Sequence, residues 1–403
     1  MNRFLLPELI DDLQSGIACG ERANSGVIQL RMNNVLTNGE MDFREYIRIP
    51  KNYLNEEMLL REGDVLFNNT NSVELVGKTA LFPGFREDVT FSNHFFRIRT
   101  KRNLLAPEYL AYWLQYLWSS DYFESICDRW VGQAAVQRRK LDLIEIPLPN
   151  VHIQNQIASE LKSQLAEVET ARNQIESQIS NIAAMRSLVF RETFNNVVPV
   201  AEPKSLDEAP SGWHWHRLTD ISRLESGHTP SRARPDWWGG DISWVSLTEI
   251  RSLDGQWVES TQIKTNQEGI ANSSARILPR GTVCFSRTAS VGFVTILATP
   301  MATSQDFANW VCGDELDPEY LMYALMRSRT ELRGIATGAT HKTIYMPSLE
   351  SFHVCAPERA EQERIVSLLK SKLNLIEQAH EALQKQYADI KLLPQKLLSS
   401  MFS

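Results

Sequence analysis

Cysteine is scarce in this chain. Only five of 403 residues are Cys (Cys19, Cys127, Cys284, Cys312, Cys355), and none stands in a Cys-x-x-Cys pair. So scattered, they argue against a zinc ribbon or a disulfide framework and read as reduced core residues. Long hydrophobic runs are also missing. No window of about 18 residues is uninterruptedly apolar, so no membrane span is expected. The opening MNRFLLPELIDDLQSG is soon acidic and no small-residue cleavage site follows, so a cytoplasmic protein is expected. Nor is there a basic excess: 42 Lys and Arg against 49 Asp and Glu leave a net charge of −7. That argues against binding polyanions by bulk charge, although an acidic average can hide one basic face.

Catalytic signatures are lacking too. GKT at 77–79 hints at a phosphate loop, but the glycine such a loop needs five residues before its second glycine is replaced by Ser72. No Asn/Asp-Pro-Pro-aromatic run of an amino-methyltransferase occurs. The acid-x-Lys triplets Glu160–Lys162 and Asp389–Lys391 lie in helical segments and read as solvated charges. The eight His are dispersed without metal-ligand spacing. No catalytic residue, cofactor site or metal site is therefore expected in the chain.

What is present is a repeat. LDLIEIPLP (141–149) matches LESFHVCAP (349–357), 208 residues further on. The same offset runs without a gap through QNQI (154–157) and QERI (362–365) to VFRETF (189–194) and LLSSMF (397–402). Upstream the match continues with shifts: LREGDVLF (60–67) answers LPRGTVCF (278–285), and LAPEYLAYWL (105–114) answers LDPEYLMYAL (316–325). The frames are alike, and the loops between them differ in length. The organisation expected is a first domain at 1–150, a long helix at 151–197, a linker at 198–212, a second domain at 213–357 and a second helix at 358–403.

Between Ile157 and Val189, ten apolar positions recur at a mean step of about 3.56 residues, and all ten counterparts from Ile365 to Leu397 are apolar or aromatic. Each helix would be roughly 60 Å long. One such seam alone would expose a long hydrophobic stripe, so the two helices are expected to pair with each other, antiparallel, about a pseudo-two-fold axis. Pro394 should kink or end the second helix near its last turns.

The globular parts carry short apolar segments between Gly, Asn, Asp and Pro: VIQLRM (27–32), DVLFN (64–68), FFRIR (95–99), ISWVSL (242–247) and TVCFS (282–286). These read as strands. PEYLAYWLQYLW (107–118) and PEYLMYALMRS (318–328) read as helices with Pro in the first turn. The fold class expected is α+β: two mixed domains joined by two long antiparallel coiled-coil helices.

The motifs PSGWHWHRL (210–218), SGHTPSRARPDWWGGDISWVSL (226–247), LPRGTVCFSRTASVG (278–292) and CAPERAEQERIVSLL (355–369) resemble, in this order, those of type I restriction-modification specificity subunits. Weaker versions stand in the first half: LREGDVLFNNTNSV (60–73), LAPEYLAYWL and PLPNVHIQNQIASEL (147–161). The first half departs in lacking the Gly-Trp-x-Trp opening and the Thr-Pro-Ser-Arg segment. The resemblance implies two target-recognition domains that read a bipartite, asymmetric site in double-stranded DNA. It also implies assembly with two adenine-methylating modification subunits, which use S-adenosylmethionine, and optionally two motor-nuclease restriction subunits.

Reading base edges needs Arg, Lys, Asn, Gln, Ser and Thr on loops. In the second domain the candidates are Thr229, Ser231, Arg232 and Arg234; Ser286, Arg287, Thr288 and Ser290; and His341, Lys342 and Thr343 in GATHKTI (338–344). At matched places in the first stand Asn68, Asn69, Thr70, Asn71 and Ser72, and Gln133, Gln137, Arg138, Arg139 and Lys140. Polar runs of this kind are also what ordinary solvated loops look like. Trp237 and Trp238 suit either base stacking or a core. The competing functions are a coiled-coil scaffold that binds only proteins, and an enzyme with an unrecognised nuclease or methyltransferase site.

Overall fold

The structure is a computed structural model that describes residues 2–194, 197–199, 208–338 and 342–403. It divides into two compact units, Met1–Ser177 with Leu383–Ser403, and Gln178–Ala382. Each unit holds a globular α+β part and a stretch of both long helices.

In the first unit an antiparallel sheet has the order Ile10–Ser15, Phe95–Thr100, Val65–Asn68, Thr79–Leu81. The helix Pro107–Ser119 covers one face, burying Tyr109, Leu110, Trp113 and Leu114 in a core with Val65, Phe67 and Ile98. In the second unit the corresponding sheet is Ser222–Ser226, Phe307–Cys312, Val283–Ser286, Val294–Leu297, with Trp257–Val258 at its edge. Its helix, Pro318–Arg327, buries Tyr320, Leu321, Ala324 and Leu325 against Val283, Phe285 and Trp310. Of the apolar segments named from sequence, DVLFN (64–68) and FFRIR (95–99) lie in the first of these sheets and TVCFS (282–286) in the second, while VIQLRM (27–32) and ISWVSL (242–247) supply the middle strands, Val27–Leu30 and Trp238–Val245, of separate three-stranded sheets.

The long helices span Val151–Thr193 and Arg359–Lys391, and a short helix, Leu393–Phe402, follows the second. The break at Leu392 lies two residues before Pro394, where the ring cannot continue the hydrogen-bond ladder. Within the first unit the helices run antiparallel. Leu161 shares a core with Leu398 and Phe402, and further along the Tyr387 hydroxyl donates to Glu176 at 2.6 Å. Within the second unit Phe190 shares a core with Ile365, Val366 and Leu369 in the same antiparallel sense. Of the twenty seam positions read from sequence, only Met185, Ala379 and Leu393 are exposed. The linker expected at 198–212 lies partly outside the described residues, and Val197–Pro199 forms a strand on Phe352–Ala356.

The duplication extends to individual hydrogen bonds. At the start of each long helix a fully buried glutamine ties three segments together. The Gln154 amide accepts from Ala106 N and donates to the carbonyls of Leu104 and Pro149, each at 2.8 Å. Gln362 accepts from Asp317 N at 2.8 Å and donates to Glu315 and Pro357 at 2.9 Å. The Tyr109 hydroxyl donates to Pro147 O at 2.7 Å, as that of Tyr320 does to Cys355 O at 2.8 Å. Burying these polar groups is tolerable only because all are partnered.

The first domain lacks the Gly-Trp-x-Trp opening motif, yet it has the same opening elements. Arg3–Leu5, Leu6–Leu9 and Ile10–Ser15 occupy the places of His214–Arg217, Leu218–Ile221 and Ser222–Ser226. Gly16 and Gly227 close the two strands, each packed so that a Cβ would stand within 2.3 Å of a carbonyl oxygen, Ser92 O or Ser304 O. No larger residue fits there.

Candidate nucleic-acid interface

In each domain the central strand ends in a polar loop, and the structure ties that loop to two others. In the first domain Val136 N donates to Asn69 O at 2.9 Å, and the strand Gln133–Ala135 pairs with Thr70–Asn71. In the second, Ile344 N donates to Arg287 O at 2.9 Å, and Thr343 bridges Thr288. The loops matched between the two copies in the sequence are thus joined to each other within each copy. A third segment joins each pair. Asn69 N donates to His94 O at 3.0 Å, and Arg287 N to Asp306 O at 2.9 Å. Sequence reasoning missed the turns at 92–94 and 304–306, although SNHF (92–95) and SQDF (304–307) stand just before matched strands. Their tips, Asn93 and Gln305, are exposed.

Not every candidate faces outward. Asn68 and Ser286 are completely buried and Asn69 is nearly so. The Asn68 amide donates to His94 O at 2.8 Å and Thr70 O at 3.1 Å, so it shapes the loop rather than meeting solvent. The Arg287 guanidinium is held by Gln305 O at 2.8 Å and Ile344 O at 3.4 Å, and Lys140 is paired with Asp128 and Ile126 O. These five residues serve the scaffold, which polarity alone does not reveal. Thr70, Asn71, Ser72, Thr288, Ser290 and Thr343 are half-buried at the loop tips. Gln133, Gln137, Arg138, Arg139 and Lys342 are exposed, Arg138 resting against Leu13 O at 3.2 Å. His341 lies outside the described residues.

The second domain adds an arginine–tryptophan cluster. Arg232 sits 4.1 Å from the centroid of Trp238 and 5.1 Å from that of Trp244, and the two indoles meet edge to face at 5.0 Å. Arg234 lies 4.8 Å over Trp237 and pairs with Asp236 at 2.7 Å, which holds that carboxyl below its ordinary value. Trp237 and Trp238 are half-buried, and in both the ring carries an arginine. Stacking fixes the guanidinium plane of Arg232 while its side chain stays exposed. The Thr229 hydroxyl donates to Gln305 Oε1, joining this loop to the other three.

His94 lies in the first domain's cluster, and desolvation together with the nearby Arg31 pushes its pKa below the ordinary 6.5. The folded state therefore binds fewer protons here than the unfolded state. Stability from this residue is present above about pH 6.5 and is lost as pH falls through the folded value. Between about pH 7 and pH 5, the urea midpoint of the wild type should fall more than that of His94→Gln; equal falls would contradict this.

Lys78 of the GKT triplet is buried, its amine donating to Val35 O at 2.6 Å and Met32 O at 3.3 Å, so it serves that loop. Among the described residues no group of three or more His, Cys, Asp and Glu is placed to hold a metal, and no helix is long and apolar enough to cross a membrane.

Two loop clusters of one design, on two copies of one domain, define a pair of recognition modules. The chain matches the type I restriction modification DNA specificity domain twice, over residues 20–181 and 210–385, and belongs to that family, whose members are the non-catalytic DNA-recognition subunits of type I restriction-modification systems. It is 28% identical over 175 residues to the type I restriction enzyme MjaIX specificity subunit of Methanocaldococcus jannaschii, covering 43% of this chain and 40% of that one. It is 26% identical over 321 residues to the putative MjaX specificity subunit of the same organism, covering 78% and 72%. The first of these alignments spans less than half of the relative's length. The fold is shared with a chain solved in a study of the assembly and conformational transition of a type I system, with TM-score 0.72 and 19% identity, over 100% of this chain and 97% of that one. It is also shared with the HsdS subunit of Thermoanaerobacter tengcongensis, with TM-score 0.67 and 20% identity, over 100% and 96%.

Proposed function

We propose that this chain directs a type I modification complex to a bipartite, asymmetric target in double-stranded DNA. The loops of residues 1–150 read one half-site and those of 213–357 the other. The observation that carries the reading is the repeated three-segment cluster, with Val136 N to Asn69 O in one copy and Ile344 N to Arg287 O in the other. A scaffold that bound only proteins would have no need for polar loop tips presented twice on one hydrogen-bonded frame. The tips differ, Thr70, Asn71 and Gln133 against Arg232, Thr288 and Lys342, so the half-sites should differ.

The long helices dock two modification subunits, which flip the target adenine and methylate it with S-adenosylmethionine. Two restriction subunits complete the assembly when it cleaves. The helices carry suitable surface: Leu188, Leu368 and Leu375 are 51%, 47% and 62% exposed, outside the paired seam. The complex works in the cytoplasm, where its DNA is.

Arg232 supplies the test. Arg232→Ala should weaken binding about tenfold or more and relax readout at the half-site of residues 213–357 alone, since a well-placed arginine contributes roughly 1–3 kcal/mol of discrimination. Competition binding against duplexes altered in one half-site at a time would measure it. Equal loss at both half-sites, or none, would contradict the assignment.

A further inference from the structure

A hairpin beside the first domain's cluster has an unusual tip. Asp128–Trp130 pairs with Gln133–Ala135, and Gly132, at φ +78°, closes the two-residue turn. Trp130 is 58% exposed and Val131 fully so, while Ala134 at the base is completely buried. A large indole offered to water at the end of a hairpin is unfavourable surface, which soluble proteins usually cover. The turn stands clear: a Cβ on Gly132 would meet nothing within 4 Å. Its base is firmly held, because Ala134 and Ala135 pair with Asn71 and Thr70 of the candidate reading loop.

The charge around it points to one kind of partner. Of the nearby acids, Asp128 is paired with Lys140 and Glu124 with Arg129. Arg139, in the helical turn that follows, is exposed, with no hydrogen bond or ion pair among the described residues. An apolar tip with basic and amide side chains behind it suits a nucleic-acid groove, where the tip enters between bases and the polar groups meet edges and phosphates.

We infer that the Asp128–Ala135 hairpin is a wedge that enters a groove of the bound duplex, where Trp130 unstacks one base step at the half-site of residues 1–150. This rests on the DNA-reading function proposed above. It makes Trp130 a residue that positions the duplex and adds sequence preference through the ease of unstacking, which is greatest at pyrimidine–purine steps.

The test uses the full chain with its modification subunits. Duplexes carry 2-aminopurine at successive positions of the half-site that changes when residues 1–150 are exchanged, and nuclease protection is read in parallel. Expected are a fluorescence rise at one step with wild type, its loss with Trp130→Ala, and binding weaker by about tenfold. Trp130→Phe, which keeps a ring, should retain most of the rise. A protected half-site with no rise at any position, or a rise that Trp130→Ala leaves unchanged, overturns the wedge and leaves the DNA-reading function standing. No protected half-site with wild type overturns both.

Discussion

Exchanging residues 1–150 for the same segment of another specificity subunit should replace one half of the methylated motif and leave the other half unchanged. The effect is all or none at each genomic site, because a mismatch at several base positions costs roughly 1–3 kcal/mol each and abolishes occupancy. The expectation follows from how each cluster is built. The loop at 68–72 is fixed by Val136 and His94, and the loop at 286–290 by Ile344 and Asp306, all within their own copy. The exchanged domain must also rebuild the attachment to the long helices. Gln154, Leu161, Leu398 and Phe402 supply that surface and would remain in place. Methylation mapping before and after the exchange measures the result. A change in both halves would mean that the copies do not read independently.

Phe402→Ala should lower the melting transition of the first unit by about 6–12 °C, corresponding to about 3 kcal/mol for loss of a buried aromatic. Phe402 is almost buried among three rings, with centroids 5.4 Å from Tyr109, 5.3 Å from Trp113 and 5.7 Å from Tyr116. Two of these contacts are edge to face, the favoured geometry for aromatic pairs. Without the ring the helix Leu393–Phe402 loses its anchor on Pro107–Ser119, keeping only apolar neighbours and the bond from Gln395 to Ser119 O. The counterpart is Phe194, packed 5.1 Å from Tyr320 and 6.2 Å from Tyr323, so Phe194→Ala should lower the other transition instead. Scanning calorimetry of each variant distinguishes them; a shift of less than about 2 °C in either would contradict the packing argument.

The helices were legible because their constraint is periodic. A seam must recur at a fixed angle along the whole pair, and a single insertion would rotate everything after it. The match from 154 to 194 and from 362 to 402 therefore survives without a gap, and Phe194 and Phe402 fall at the same step. The strands around the clusters obey no such rule, so their offsets drift. The opening of the first domain was hidden for this reason. LQSG (13–16) answers LESG (224–227), but a register shift between Ile10 and Asp12 moves the match by one residue. Burial at the cluster was hidden for another. Asn68 and Asn69 are both amides in a run of polar residues, and only the path of the strand end turns both inward while Thr70 and Asn71 stay near the surface. The turns at 92–94 and 304–306 join the cluster through main-chain bonds, which leave no mark on side-chain identity. Trp130 went unremarked because a lone tryptophan beside glycine is as common in a packed turn as at an exposed tip.

Genome-wide adenine methylation tests the central claim most directly. The measurement compares hosts carrying this chain, the partner modification subunit, or both. The expected result is a split, asymmetric motif methylated only when both are present. Methylation that does not depend on this chain, or none in the presence of both, would contradict its assignment as the reader of the DNA target.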